Sequence, residues 1–231
     1  NIFDESNQDS LNEYIRMHTP QGVHFAMADG GFSVEGQKNI QEILSKQLYL
    51  CQFLTALKIL RPNGSFVCKL FDLFTPFSVG LVYLMYQCFQ QIAIIKPNSS
   101  RPANSERYLV CKYKRSDAET AGIIAYLNTI NLMLSDESQV DDNDVLEIFN
   151  ANELAEDEDF LRYIIDSNNA IGKKQIVGLR KIAAFAQNLE LKETKQSEVR
   201  QECLKRWKLP DKLRQAPENK PTDRLLDELL A

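Results

Sequence analysis

Residues 23–31 read Val23-His24-Phe25-Ala26-Met27-Ala28-Asp29-Gly30-Gly31. A short, mostly apolar run stopped by Asp-Gly-Gly is the pattern of a buried strand ending in a turn. Downstream, Ile40, Ile43, Leu44, Leu48, Leu50, Leu54, Leu57 and Leu60 recur along Gln37–Leu60, which predicts a long amphipathic helix. Arg61-Pro62-Asn63-Gly64 carries turn chemistry and should end it. Ser65 to Phe71 is the next predicted strand. Thr75-Pro76 fits an N-cap followed by a first-turn proline, which predicts a helix from Phe77 to about Gln90. Gln91 to Lys96 and Arg107 to Lys114 predict two more strands. The segment between them, Pro97 to Ser105, is loop chemistry with no helix, so those two strands should be antiparallel. Alternation of strand and helix indicates βαβ units and a mostly parallel sheet. The expected fold class is α/β, with a final antiparallel strand.

Outside this segment the character is helical. Ser10 to Met17 predicts a short helix. After Arg115 the pattern predicts helices near 118–134, 144–150, 157–167, 173–189 and 196–208. Of these, 173–189 is the clearest, with Ile176, Leu179, Ile182, Ala183 and Ala186 on one face. The expected organisation is a sheet-bearing part over 1–115, a helical extension over 116–208 and a polar tail or linker over 209–231.

Of the 231 residues, 44% are hydrophobic, enough for one sizeable core. The net charge is -5, which argues against a binder that is basic throughout. The charge is uneven, however. Lys96, Arg101, Arg107, Lys112, Lys114 and Arg115 stand against one acid, Glu106, whereas eleven acids and no Lys or Arg lie between Asp136 and Asp159. Five cysteines with no CxxC pair read as reduced thiols of a cytosolic or nuclear protein. Two histidines and no zinc-type spacing predict no structural metal. No apolar run is long enough to span a bilayer, so no membrane partner is expected.

Three charged residues sit where strands should be. Asp29 ends the first strand, Lys69 lies late in the second, and Glu106 opens the last. Charges are rarely buried unless paired or working. In an open α/β sheet, ligands gather outside the carboxyl ends of the strands. An antiparallel last strand would start at that same edge, so the topology brings all three side chains to one mouth. A buried lysine loses its proton readily and can take one from a poor acid such as a hydroxyl. A glutamate can orient it, and an aspartate can hold a cationic partner.

Met27-Ala28-Asp29-Gly30-Gly31-Phe32-Ser33-Val34-Glu35-Gly36-Gln37, Phe66-Val67-Cys68-Lys69-Leu70-Phe71-Asp72 and Ser100-Arg101-Pro102-Ala103-Asn104-Ser105-Glu106-Arg107-Tyr108 resemble the FtsJ-type ribose 2'-O-methyltransferases, within them the branch acting on capped mRNA. Thr75 to Gly80 and Glu202 to Trp207, with Pro210 and Asp211, resemble it too. The resemblance implies a class I (Rossmann-like) methyltransferase sheet, represented here by its carboxyl-terminal half, followed by an α-helical extension. It implies a Lys-Asp-Lys-Glu tetrad whose last three members are Asp29, Lys69 and Glu106, with Lys69 the proton acceptor. It implies S-adenosyl-L-methionine as cofactor, touched by Asn1, Ile2 and Asp29. It implies RNA contacts at Asn39 and, from the basic stretch, at Lys96, Arg101 and Arg107. The implied substrate is the 5' end of capped mRNA, methylated on its first transcribed ribose to turn cap 0 into cap 1. Implied partners are RNA polymerase II and other capping factors, and the implied location is the nucleus.

The family's first lysine and glycine-rich cofactor loop precede the Asp29 segment, and neither is in this chain. A fragment of a longer enzyme, inactive alone, is the expected reading. The rivals are an RNA-binding scaffold without chemistry, and a 2'-O-methyltransferase for another RNA. Phe71, Phe74 and Phe77 are expected in the core rather than as base-stacking platforms.

Overall fold

The Asp4 carboxylate accepts the Ser6 N–H and so starts helix α1 (Glu5–His18). Strand β1 (Val23–Ala28) follows. The computed structural model describes residues 1–31, 36, 40–135 and 144–213. Asn39 and the first turn of the helix expected from Gln37 lie outside them, as do parts of the acidic run and of the tail. Where the helix is described it is two pieces, α2 (Gln41–Leu44) and α3 (Lys46–Ile59), meeting at Ser45. Then come β2 (Leu60–Leu70), α4 (Pro76–Cys88), β3 (Phe89–Ile95), β4 (Arg107–Lys114), α5 (Asp117–Ser135), α6 (Ala151–Glu156), α7 (Glu158–Gln187) and α8 (Gln196–Trp207).

The sheet order is β1-β2-β4-β3. β1 and β2 are parallel, and β4 lies antiparallel to both β2 and β3. The strand last in sequence is therefore inserted between its two predecessors, and its start lies beside the end of β2. Along β2, Phe66, Cys68 and Leu70 are buried while Val67 and Lys69 are half-buried, as the two-residue period of a strand requires. The buried set faces Leu50, Phe53, Leu54 and Leu57 of α3, with Phe53 and Phe66 edge to face at 5.7 Å. Leu81 and Met85 of α4, Leu127 of α5 and Ile164 of α7 join the same core. The other face of the sheet is more open, with Phe25 and Met27 exposed, so β1, expected to be a buried strand, is instead the edge strand of the described sheet with no residue of its own buried.

Three further expectations are corrected. Arg61–Gly64 does not separate helix from strand, because β2 already begins at Leu60, a fully buried residue. Pairing passes from Val23↔Leu60 to Phe25↔Ser65. The turn residues are taken up as a bulge, with Asn63 at φ 61°. Residues 144–150 are not helical; instead the Asn150 side chain accepts the Asn152 N–H and caps α6. The two helices expected over 157–167 and 173–189 are one, α7. A helical glycine costs about 1 kcal/mol, and the helix tolerates it at Gly172 while burying Phe160, Ile164 and Ile171. Ile176, Leu179 and Ile182, which the helical spacing put on one face, are about half exposed. Gly178, also in α7, lies against the backbone of Ala103, where an added Cβ would stand 2.9 Å from the Ala103 nitrogen. That close approach braces the loop leading to Glu106.

The chain divides into two compact units, Asn1–Ala183 and Ala184–Ala231, and the sheet lies wholly in the first. In the second unit α8 ends at Lys208 in the left-handed conformation, and Leu209 N–H returns to the Leu204 carbonyl at 2.9 Å.

Candidate active site

β1 and β2 run in register to their carboxyl ends, with Ala28 beside Cys68. The next pair along is Asp29 and Lys69, and their side chains meet: Lys69 Nζ stands 2.5 Å from Asp29 Oδ1. Nζ also donates to the Asp29 carbonyl at 3.3 Å and lies 6.0 Å from the centre of the Phe71 ring. The lysine side chain is only 16% exposed and the aspartate 61%. The amine is thus recessed while the carboxylate looks outward. The glycines after Asp29 let the chain pass close by. Gly30 N–H donates to Gln52 Oε1 of α3 at 2.8 Å, and a Cβ there would come within 2.7 Å of the same oxygen.

The antiparallel register sets Tyr108 opposite Lys69 and Arg107 opposite Leu70. Opposed residues share a face and alternate residues return to it. Tyr108 and Glu106 therefore belong with Lys69 on the open face, while Arg107 belongs with Leu70 on the helix-covered one. Glu106 reaches this edge but makes no ion pair with Lys69. Its Oε1 accepts the Ser100 hydroxyl at 2.7 Å. Desolvation raises the Tyr108 phenol above its ordinary pKa, and the charges of Glu106 and Asp29 raise it further. Tyr108 is thus within the electrostatic reach of all the charged site residues, and sequence reasoning missed it. Its position two residues after Glu106 was the available signal.

The expected RNA contacts fall apart into different roles. Arg101 is exposed on the loop after β3. Lys96 spends its ammonium on that loop, donating to Ser100 Oγ at 3.2 Å, Asn104 Oδ1 at 2.9 Å and the Glu106 carbonyl at 2.6 Å. Desolvation lowers its pKa, with the Glu106 charge opposing the shift. Arg107 is corrected outright, since it is 1% exposed and cannot meet a phosphate. Its guanidinium donates to Asp72 Oδ1 at 3.1 Å, to the Ser105 carbonyl at 3.0 Å and to Asn168 Oδ1. The alternation of β4 turns it inward.

Asn1 and Ile2 are held to α1: the Asn1 and Ile2 carbonyls accept the side-chain amides of Asn7 and Gln8. Asn1 lines an open groove with Phe3, Asp4 and residues of α5, including Asn131, and Asp29 is not among its lining. The structure therefore joins Asp29, Lys69, Glu106 and Tyr108 at one edge and leaves Asn1 and Ile2 out of that cluster.

Residues 1–114 match the family model for FtsJ-like methyltransferases. This stretch belongs to the FtsJ-like methyltransferase family. The whole chain is 97% identical over 231 residues to cap-specific mRNA (nucleoside-2'-O-)-methyltransferase 1 of Drosophila melanogaster, covering 100% of this chain and 29% of that protein. It is 53% identical over 197 residues to the protein of that name from Danio rerio, covering 85% of this chain and 23% of the relative. It is 49% identical over 216 residues to cap-specific mRNA (nucleoside-2'-O-)-methyltransferase 1A of Caenorhabditis briggsae, covering 92% and 24%. The chain spans less than a third of the length of these curated relatives. The FtsJ-like stretch holds all four residues of the cluster.

Proposed function

We propose that this chain serves the transfer of a methyl group from S-adenosylmethionine to the ribose 2'-OH of the first transcribed nucleotide of capped mRNA, taking cap 0 to cap 1. The observation that carries it is the recessed Lys69 amine paired with Asp29 at the carboxyl edge of the sheet, in a chain whose relatives are named for this reaction.

S-adenosylmethionine, when bound, supplies a methyl group on a positively charged sulfonium. The outward Asp29 carboxylate is the residue here that suits that charge, and it also ties down Lys69. Lys69 is the group that takes the proton from the ribose hydroxyl, and general-base assistance of this kind contributes about 10²–10⁴-fold. Glu106, which accepts the Ser100 hydroxyl, enters β4 on the side of β2 away from β1 and is the residue that orients Lys69. Arg101 contributes a phosphate contact. A nuclear location and work beside RNA polymerase II and other capping factors accompany this reading.

The test is methyl transfer to capped and uncapped RNA by a protein of the relatives' full length carrying this sequence, with Lys69→Ala as the variant. Loss of about 10²–10⁴-fold in rate with capped RNA supports the assignment. A variant that keeps the parent's rate removes Lys69 from the chemistry. Equal methylation of uncapped RNA removes the cap from the substrate. A parent that binds RNA and transfers no methyl group to any RNA leaves a binding module.

A further inference from the structure

The five residues after β2 combine tight anchoring with an aromatic ring left in solvent. Phe71 N–H donates to the Tyr49 hydroxyl of α3 at 3.2 Å. Asp72 holds the buried Arg107 of β4. The Leu73 side chain is buried, and its carbonyl accepts the Asn168 amide of α7 at 2.8 Å. The Phe74 and Thr75 amides both donate to one oxygen of Glu42, at 2.9 Å and 2.8 Å, and the Thr75 hydroxyl donates to it as well. Glu42 is itself 7% exposed. Four elements thus clamp the loop, yet the Phe74 side chain is 68% exposed. This overturns the expectation of a core residue for Phe74. Phe77 is buried and Phe71 packs against the core as expected.

Burying a phenylalanine ring is among the larger favourable contributions a side chain can make to folding, and this loop forgoes most of that gain while remaining anchored by Tyr49, Glu42 and Asn168. A rigid, outward π-face is what a stacking base needs, because a preorganised ring pays little entropy when it is covered. The loop also leaves directly from the strand that carries Lys69. Five residues of chain span at most about 18 Å, so Phe74 stands within reach of a nucleotide near the reacting ribose. One aromatic ring matches one base, whereas a stable protein interface needs about 800 Å² from each partner.

We infer that Phe74 is a stacking platform for a base of the RNA substrate, placed by the Glu42-anchored loop beside the Lys69–Asp29 site. The inference rests on the proposed RNA methyl transfer for its ligand. Phe74 touches no reacting atom, so it acts in binding and registration rather than in the proton transfer.

The experiment measures anisotropy of a short, labelled, capped single-stranded RNA against the full-length protein and its Phe74→Ala, Phe74→Leu and Phe74→Trp variants, alongside methyl-transfer kinetics. Thermal unfolding checks that each variant is folded, which the exposure of the ring favours. Phe74→Ala should weaken RNA binding about ten-fold or more, and Phe74→Leu nearly as much. Phe74→Trp should keep parental affinity. KM for RNA should rise in the alanine variant while kcat at saturating RNA is kept. An RNA with an abasic site at the stacked nucleotide should bind parent and alanine variant alike. Parental affinity and KM in Phe74→Ala overturn the inference, including when that variant instead loses a protein partner. Parental affinity in Phe74→Leu overturns it too, since a greasy contact then suffices. A parent that transfers no methyl group but binds RNA in a Phe74-dependent way supports the stacking role and refutes the proposed reaction.

Discussion

Replacing Arg107 with Met separates two roles that look alike in the sequence. In the structure the guanidinium is buried against Asp72, Asn168 and the Ser105 carbonyl, joining β4 to the loop after β2 and to α7. Methionine fills similar space but donates nothing. Removing one partner of a buried pair costs about 3–5 kcal/mol. The Asp72 side chain is 31% exposed, so water softens the loss and the lower end applies, about 3 kcal/mol. For a unit of this size that is about 6–12 °C in Tm. The double variant Arg107→Met, Asp72→Asn should recover about 1 kcal/mol or more, because no buried carboxylate is then left alone.

The pH dependence has a definite sign. Burial raises the Asp72 carboxyl above its ordinary value and the Arg107 charge pulls it back. Without Arg107 the folded state favours the protonated acid more strongly, so the folded chain binds more protons than the unfolded one. Stability of Arg107→Met should therefore improve relative to the parent as pH falls from neutral toward 4. The assay is thermal unfolding across pH, with RNA affinity measured over a salt series. An unchanged Tm, together with weaker RNA binding and a salt slope reduced by about 1, would make Arg107 a phosphate contact and refute the argument.

Glu42→Ala strips the acceptor from three donors at Phe74 and Thr75. It should cost about 2–4 kcal/mol and speed amide exchange at Phe74 and Thr75, and exchange rates equal to the parent's would show that the loop is held otherwise. Burial pushes the Cys51 and Cys88 thiols up to about 12 and raises Cys68 and Cys111 by the same cause. A thiol-reactive dye at pH 8 should label Cys203 alone in the folded chain and all five cysteines in denaturant, as peptide mapping would read; fast labelling of Cys68 in the folded state would contradict the burial described.

Local chemistry was legible where it answers to neighbours in sequence. The apolar run before Asp29, the Thr75-Pro76 cap and the loop after β3 named three strand ends and a helix start, and the structure has them. The same reading misassigned Arg61–Gly64, because a turn signal says that the chain bends and not whether a strand continues through the bend. It split α7 at a glycine whose cost is met by tertiary burial of Ile164 and Ile171.

The site divides in the same way. The sequence by itself determined the residue types at the strand ends, and with antiparallel closure it determined that Asp29, Lys69 and Glu106 share an edge. Only the tertiary structure decided that β4 enters between β2 and β3, setting Tyr108 opposite Lys69 and turning Arg107 to the covered face. It alone decided that the Phe74 ring stands in solvent on a clamped loop. The physical reason is that strand insertion and loop anchoring depend on contacts between residues far apart in the chain, such as Glu42 with Thr75 and Asp72 with Arg107. A strand's two-residue period then converts a single step of register into opposite faces of the sheet.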